Sequence, residues 1–124
     1  MKAISKLIAS VTACAVMVVS SAVTASAKTV DCGGAALTGT LSVASTSATG
    51  VTSIDHLPST VSVSVVGYYY EKGTFSKKTT SNGAGSANGG CSATVYNGGG
   101  AWYKVDSTHT GYYNGASKIF YNHW

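Results

Sequence analysis

The chain has 124 residues and few charges: eight lysines, no arginine and four acidic residues, for a net charge of +4. The lack of arginine removes the bidentate side chain that most often reads phosphates and guanine edges, which argues against a nucleic-acid partner. No sustained 3.6-residue apolar period follows residue 27, where Ser, Thr, Gly, Val, Ala and Tyr dominate. This composition predicts an all-β protein with one domain.

Residues 1–27 are predicted to be a helical, cleaved secretory signal peptide. Two lysines precede a mostly apolar segment, and Ala-Ser-Ala at residues 25–27 supplies a small-x-small cleavage site. A transmembrane anchor is one alternative, but the apolar run is short and ends without stop-transfer charges. Lipidation at Cys14 is another, but apolar residues rather than a polar tether follow that cysteine. We therefore expect a secreted protein whose single domain comprises residues 28–124.

Cleavage after residue 27 changes the balance of charges and cysteines. The remaining chain has six lysines and four acidic residues, for a net charge of +2, and Cys14 is removed with the leader. Cys32 and Cys91 remain as an even pair in an oxidising compartment, which predicts a disulfide between them. The bridge would close a loop of about 60 residues, which the chain-entropy model values at roughly 4 kcal/mol.

The first strands are predicted from period-two alternation of apolar and polar residues. Residues 36–44 alternate Leu and Val with Thr and Ser, and residues 45–54 form a weaker candidate. Thr60–Glu71 is the clearest strand, because three valines alternate with two serines before a run of three tyrosines. Gly67 marks the change of pattern, and we predict a β-bulge there. This strand is expected to be central.

Glycine, asparagine and serine punctuate the second half of the chain. Residues 74–81 are predicted to form a hairpin with the central strand. Lys77 and Lys78 indicate that this hairpin partner is an exposed edge strand. Residues 82–90 are predicted to form a mobile loop. Asn114-Gly115 favours a type I′ hairpin turn, because both residues tolerate positive φ. Further strands are expected at residues 91–96, 101–105 and 116–121. Together these segments predict a small antiparallel β-sandwich of six to eight strands.

Motifs for catalysis or metal binding are scarce. The four acidic residues lie in four separate segments, and no nucleophile elbow, paired-histidine zinc motif or phosphate-binding loop occurs. Asp106, His109 and a loop serine could still meet in space. Asp55-His56, Asp106 with His109, and His123 offer metal ligands, although exposed histidines are the simpler interpretation. We predict no enzymatic activity, no metal and no cofactor.

Aromatic residues form the most informative group. All eight tyrosines lie between residues 68 and 121. Amphipathic rings suit sugar stacking and interfaces, although tyrosine could also fill a core that is poor in Leu and Ile. Adjacent strand residues point to opposite faces, so each tyrosine cluster should leave at least one ring outside the core. The predicted ligand-binding surface combines rings and lysines: Tyr68, Tyr69, Tyr70, Lys77, Lys78, Tyr112, Tyr113 and Lys118.

Short motifs in the last 33 residues stand in a recognisable order. They are Ser92-Ala93-Thr94-Val95 with Asn97, then Trp102 and Lys104, then Ala116-Ser117, and the closing Tyr121-Asn122-x-Trp124. In these motifs the chain resembles the lactococcin 972 family of small, secreted, unmodified β-sandwich bacteriocins of Gram-positive bacteria. The resemblance implies that fold, and interference with cell-wall synthesis at the surface of competing bacteria. The chain departs from the family in its greater length, its N-terminal β segment and its cysteine pair.

Two functions follow as expectations. A bacteriocin-like protein would recognise a component of the bacterial cell envelope through its tyrosine, tryptophan and lysine side chains. A non-toxic secreted module would use the same surface to bind, for example, a glycan.

Overall fold

The computed structural model describes residues 24–71, 75–86 and 89–124. The described residues form eight strands, labelled β1 Thr24–Cys32, β2 Ala35–Val43, β3 Ser47–Ile54, β4 Thr60–Glu71, β5 Phe75–Ser86, β6 Gly90–Tyr96, β7 Ala101–Tyr113 and β8 Ala116–His123. Residues 1–23, and with them most of the predicted signal-peptide helix, lie outside the described residues.

The strands form two antiparallel sheets of four strands each, so the predicted all-β, antiparallel architecture is confirmed. Sheet A has the order β1-β2-β3-β6 and sheet B the order β5-β4-β7-β8. Their facing sides bury two adjoining apolar clusters, one around Leu41 and Val63 and the other around Leu37 and Phe120. Alternation along each strand sends the other residues to the outer faces.

β4 is a central strand of sheet B, as its alternating valines predicted. It pairs with β5 on one side and β7 on the other. The bulge predicted at Gly67 is displaced, however. Gly67 continues the inward alternation and lies under the Trp102 indole, which leaves no room for a Cβ. The register between β4 and β7 shifts one residue later, and Tyr103 of β7 is the extra residue.

The predicted Cys32–Cys91 disulfide is wrong, because both thiols are free. Cys32 ends β1 and Cys91 lies in β6, the two opposite edges of sheet A. Three interstrand spacings of about 4.8 Å separate these edges by roughly 14 Å, whereas a disulfide needs Cα atoms within about 7 Å. The Cys32 thiol instead points at the carbonyls of Gly111 and Ala116, with Sγ 3.6 Å from each oxygen.

The loop predicted at residues 82–90 is wrong for residues 82–86. These residues extend β5 as far as Ser86, and β6 already begins at Gly90. Gly83 faces the backbone of Ser92 so closely that no Cβ would fit between β5 and β6. The glycine here therefore permits close approach of the two sheet edges, whereas its Gly-, Asn- and Ser-rich surroundings in the sequence predict a loop.

β1 begins at Thr24, before the predicted cleavage point. Residues 25–27 pair with residues 40–42 of β2, so the bond after residue 27 lies inside an edge strand. The small side chains that fit a signal-peptidase site also fit an edge strand, which is why composition alone assigned them to the leader.

The last hairpin forms as predicted from Asn114-Gly115. Asn114 has φ 51° and Gly115 has φ 76°, the positive values of a type I′ turn. β8 then pairs with β7, and the backbone of Trp124 continues this pairing. Its N–H donates to the Val105 carbonyl at 2.9 Å, and its carbonyl accepts from the Val105 N–H at 3.2 Å.

Candidate functional site

The outer face of sheet B carries a compact group of rings and lysines near one end. We name this group the aromatic–lysine patch; it consists of Tyr68, Tyr70, Lys78, Tyr103 and Lys104. The centroids of the Tyr70 and Tyr103 rings lie 4.5 Å apart, and those of Tyr68 and Tyr103 lie 6.1 Å apart. The Nζ atoms of Lys78 and Lys104 lie 5.9 and 5.4 Å from the centroid of the Tyr68 ring.

The bulge in β7 builds this patch. In a regular strand Tyr103 and Lys104 would point to opposite faces, but the extra residue lets both lie exposed on the outer side of the sheet. Tyr103 also bonds to Ser76 of β5, with 2.5 Å between the Tyr103 Oη and Ser76 Oγ atoms. The sequence prediction missed Tyr103 and Lys104, because their orientation depends on where the register shifts.

The charges of the patch are only partly neutralised. Lys104 Nζ lies 3.5 Å from an oxygen of Asp106, whose other oxygen lies 2.7 Å from Nδ1 of His123. Lys78 forms no ion pair within the described ranges. A cation above a tyrosine ring beside further exposed rings can take up a ligand that has both flat faces and negative charge.

Two of the predicted site residues lie on the other side of the same strands. Tyr69 points inward and meets Trp102 edge-on, with ring centroids 5.7 Å apart at 82°. Lys77 is paired with Tyr69 in register and binds Glu71 at 2.6 Å. Its hydrogen bond with Glu71 raises the pKa of Lys77. Both residues are therefore separate from the patch.

The second predicted cluster lies at the far end of sheet B. Tyr112 faces outward beside Thr60, whereas Tyr113 packs against the core with its ring 5.4 Å from that of His56. Lys118 of β8 pairs with Gly111 of β7, away from the patch. Thr60 and Tyr68 are eight residues apart on β4, which corresponds to about 27 Å. The residues of the predicted single surface are thus divided between the two ends and the two sides of sheet B.

A shallow trough lies between these ends, on the outer face of sheet B. It has a volume of about 330 Å³ and is lined by small residues of β4, β5 and β7. Ser64 has Asn82 and Thr108 as its neighbours, and Ser62 has Ala84 and Thr110. The exposed side chains of Tyr121 and Ile119 follow on β8, beside Thr108 and Thr110.

A buried polar network lies on the opposite side of β7 and links the two sheets. His109 is 0% exposed, its Nδ1 is 2.8 Å from Thr52 Oγ1, and its Nε2 is 2.7 Å from Ser107 Oγ. Thr52 donates its hydroxyl proton to the Ser62 carbonyl at 3.0 Å, so it accepts from His109 Nδ1–H. Nε2 is then the acceptor for the Ser107 hydroxyl. Asn122 Nδ2 lies 3.3 Å from Nε2 and donates to the Gly39 carbonyl at 2.9 Å.

This network does not form the catalytic set that the sequence left open. Ser107 and His109 are hydrogen-bonded but have no exposed surface, and Asp106 lies on the outer face with His123. Burial lowers the pKa of His109 from 6.5 to about 4, which keeps the ring neutral in neutral solution. A neutral, fully bonded and enclosed histidine stabilises the fold and cannot reach a substrate.

The other histidines pair with single carboxylates. His56 lies 2.7 Å from Asp55, and His123 lies at the same distance from Asp106. Burial tends to raise the pKa of Asp55, but hydrogen bonds from His56 and from the Ala36 N–H outweigh it and lower the value. In the described part of the chain, no three His, Cys, Asp or Glu side chains converge as metal ligands would. No helix in this part is long and apolar enough to cross a membrane.

Comparison with known proteins finds no relative: no family model, no curated protein and no solved structure matches this chain. The resemblance to the lactococcin 972 family stays a prediction from short motifs. Several motif residues hold the fold together. Trp102 donates to the Ala44 carbonyl at 3.1 Å, Asn97 donates to the Ser45 carbonyl at 2.8 Å, and Asn122 reaches Gly39. Of the motif residues, Lys104 belongs to the patch.

Proposed function

We propose that the protein is a secreted, bacteriocin-like protein that binds an anionic component of the envelope of competing bacteria through the aromatic–lysine patch. The observation that carries the proposal is the Tyr68 ring with two lysine ammonium groups within 6 Å of its centroid and two more rings beside it. Tyr70 and Tyr103 are 44% and 42% exposed. Such rings can stack on sugars, while the lysines attract phosphate or carboxylate groups.

Binding and killing have different support. The patch supports binding, whereas growth inhibition rests on the resemblance in sequence motifs. A second candidate is therefore a secreted envelope-binding module without toxicity. It is favoured by the position of Trp102, Asn97 and Asn122, because these motif residues bond to the protein's own backbone.

Adsorption to isolated Gram-positive cell walls tests the proposal. We expect the purified secreted protein to adsorb at micromolar concentration and to be released as salt rises, because exposed charges are screened beyond about 8 Å at physiological ionic strength. Tyr70→Ala should weaken adsorption. Tyr96→Ala, which removes a 67% exposed tyrosine from sheet A, is the matched control and should adsorb normally.

Repeating the adsorption measurement with walls from which teichoic acids have been extracted tests whether these polymers are the anionic component. Growth assays then separate the two candidate functions. Adsorption with growth inhibition supports the bacteriocin, and adsorption alone supports the module. No adsorption at low salt, or equal losses in the Tyr70 and Tyr96 variants, would contradict the proposed patch.

A further inference from the structure

We infer that the outer face of sheet B binds an extended glycan chain lengthwise, with the trough as the central part of the site. The inference builds on the proposed function and specifies its ligand: a linear polysaccharide several sugar rings long, rather than a single headgroup held at the patch. The aromatic–lysine patch would hold one end of this chain, and Tyr112 would lie at the other end.

The shape of this face favours a long ligand. Small side chains from three neighbouring strands line the trough in the middle of the sheet. Tyr121 and Ile119 form one wall, Tyr68 lies towards one end and Tyr112 towards the other. The two end tyrosines are about 27 Å apart along the strands, a span that a single sugar cannot reach.

The chemistry of the trough fits a polyhydroxylated chain. The side chains of Ser62, Ser64, Thr108 and Thr110 present hydroxyl groups, each able to donate and to accept, and Asn82 adds an amide. No side-chain hydrogen bond within the described ranges uses these hydroxyls. They are therefore available to a ligand, and the Tyr121 ring beside them, 52% exposed, offers a stacking surface.

An extended peptide fits this surface less well than a glycan. Peptides that bind to sheets usually add a strand at an edge with free backbone groups. The trough lies over β4, whose backbone is paired on both sides by β5 and β7. Recognition here must use side chains, as stacking and hydroxyl bonding do. The lysines at one end would place the more anionic part of the chain there.

Binding of N-acetylglucosamine oligomers of increasing length, measured by isothermal titration calorimetry, tests the inference. We expect the hexasaccharide to bind the unmodified protein at least tenfold more tightly than the disaccharide. Ser64→Tyr and Thr108→Tyr each fill the trough with a residue that suits strands, and each should abolish that length dependence. Ser53→Tyr makes the same change on a partly exposed strand position of sheet A and should retain it.

The outcomes separate this inference from the proposed function. Affinity independent of length, or length dependence retained in both trough variants at unchanged melting temperature, overturns the trough as a glycan site. Wall adsorption that depends on Tyr70, together with no binding of any oligosaccharide at millimolar concentration, overturns the inference of a glycan site. The proposed binding through the aromatic–lysine patch would still be supported. Absence of wall adsorption alongside length-dependent glycan binding would instead overturn the proposed function and support the trough.

Discussion

The two sides of β7 carry similar residue types but differ in what those residues bind. On the inner side, Ser107 and His109 bond to each other and to groups of both sheets, with no surface left exposed. On the outer side, Thr108 and Thr110 line an open trough. Buried polar groups need partners within the protein, whereas exposed ones can keep their bonding capacity for a ligand. The inner side therefore stabilises, and the outer side is where binding can occur.

The largest effect on stability should come from a substitution on the inner side of β7, and a substitution of the neighbouring outer residue is its comparison. His109→Ala leaves Thr52, Ser107 and Asn122 around a polar cavity, so the free energy of unfolding should fall by about 3–5 kcal/mol. Thr108→Ala, one residue away on the outer side, should change it by less than about 0.5 kcal/mol. Urea unfolding measures both, and similar losses in the two variants would contradict the distinction.

Acidification should weaken the inner side next. The pKa of His109 is about 4 in the fold against 6.5 for an ordinary histidine. Between these values the unfolded chain binds a proton that the folded chain does not, so stability is complete above pH 6.5 and falls as the pH decreases towards 4. The loss should reach about 3 kcal/mol. Urea unfolding across this range checks it.

The control for this pH effect is His109→Gln. The variant should be less stable at neutral pH but should lose less stability on acidification, because the titrating ring is gone. An unchanged loss between the two pH values would assign it to other groups.

Shortening β1 should have a smaller effect. A chain that begins at Lys28 lacks the residues that pair with Thr40–Val43 of β2, while a chain that begins at Thr24 keeps them. Losing a few edge hydrogen bonds should reduce the free energy of unfolding by about 1–3 kcal/mol. Thermal unfolding of the two forms measures this. Equal melting temperatures would show that this end of β1 adds nothing to stability.

The smallest effect concerns two adjacent lysines of β5. Lys78 lies over the Tyr68 ring in the patch, whereas Lys77 binds Glu71 on the other side. Lys78→Ala should weaken adsorption to cell walls by about twofold to fivefold, the scale of one exposed cation–π contact. Lys77→Ala should leave adsorption within error. The reverse order would place the binding surface on the inner side of this strand end.

Local patterns predicted the fold well where local physics decides it. The bounds of β4 agree with the sequence prediction, because β-branched residues alternating with serine suit a strand with one buried side. Asn114-Gly115 forms its predicted turn, since the φ values of two residues settle that geometry. Part of the candidate site could also be predicted from local patterns. Tyr68, Tyr70 and Lys78 lie on the same outer side of sheet B, as period-two alternation predicts.

The remaining features depend on register and on which strands become neighbours. Composition could not show that Cys32 and Cys91 are too far apart for a disulfide, because only the strand order places them on opposite edges of sheet A. Gly83 marked a loop in sequence but is a point of close contact in the fold. Tyr103 and Lys104 joined the patch through a bulge, and His109 met Thr52 only when two sheets packed together. The sequence by itself determined an all-β chain rich in tyrosine. Tertiary structure decided which rings and hydroxyls share a surface, because long-range pairing sets register and a shift of one residue reverses the side a residue faces.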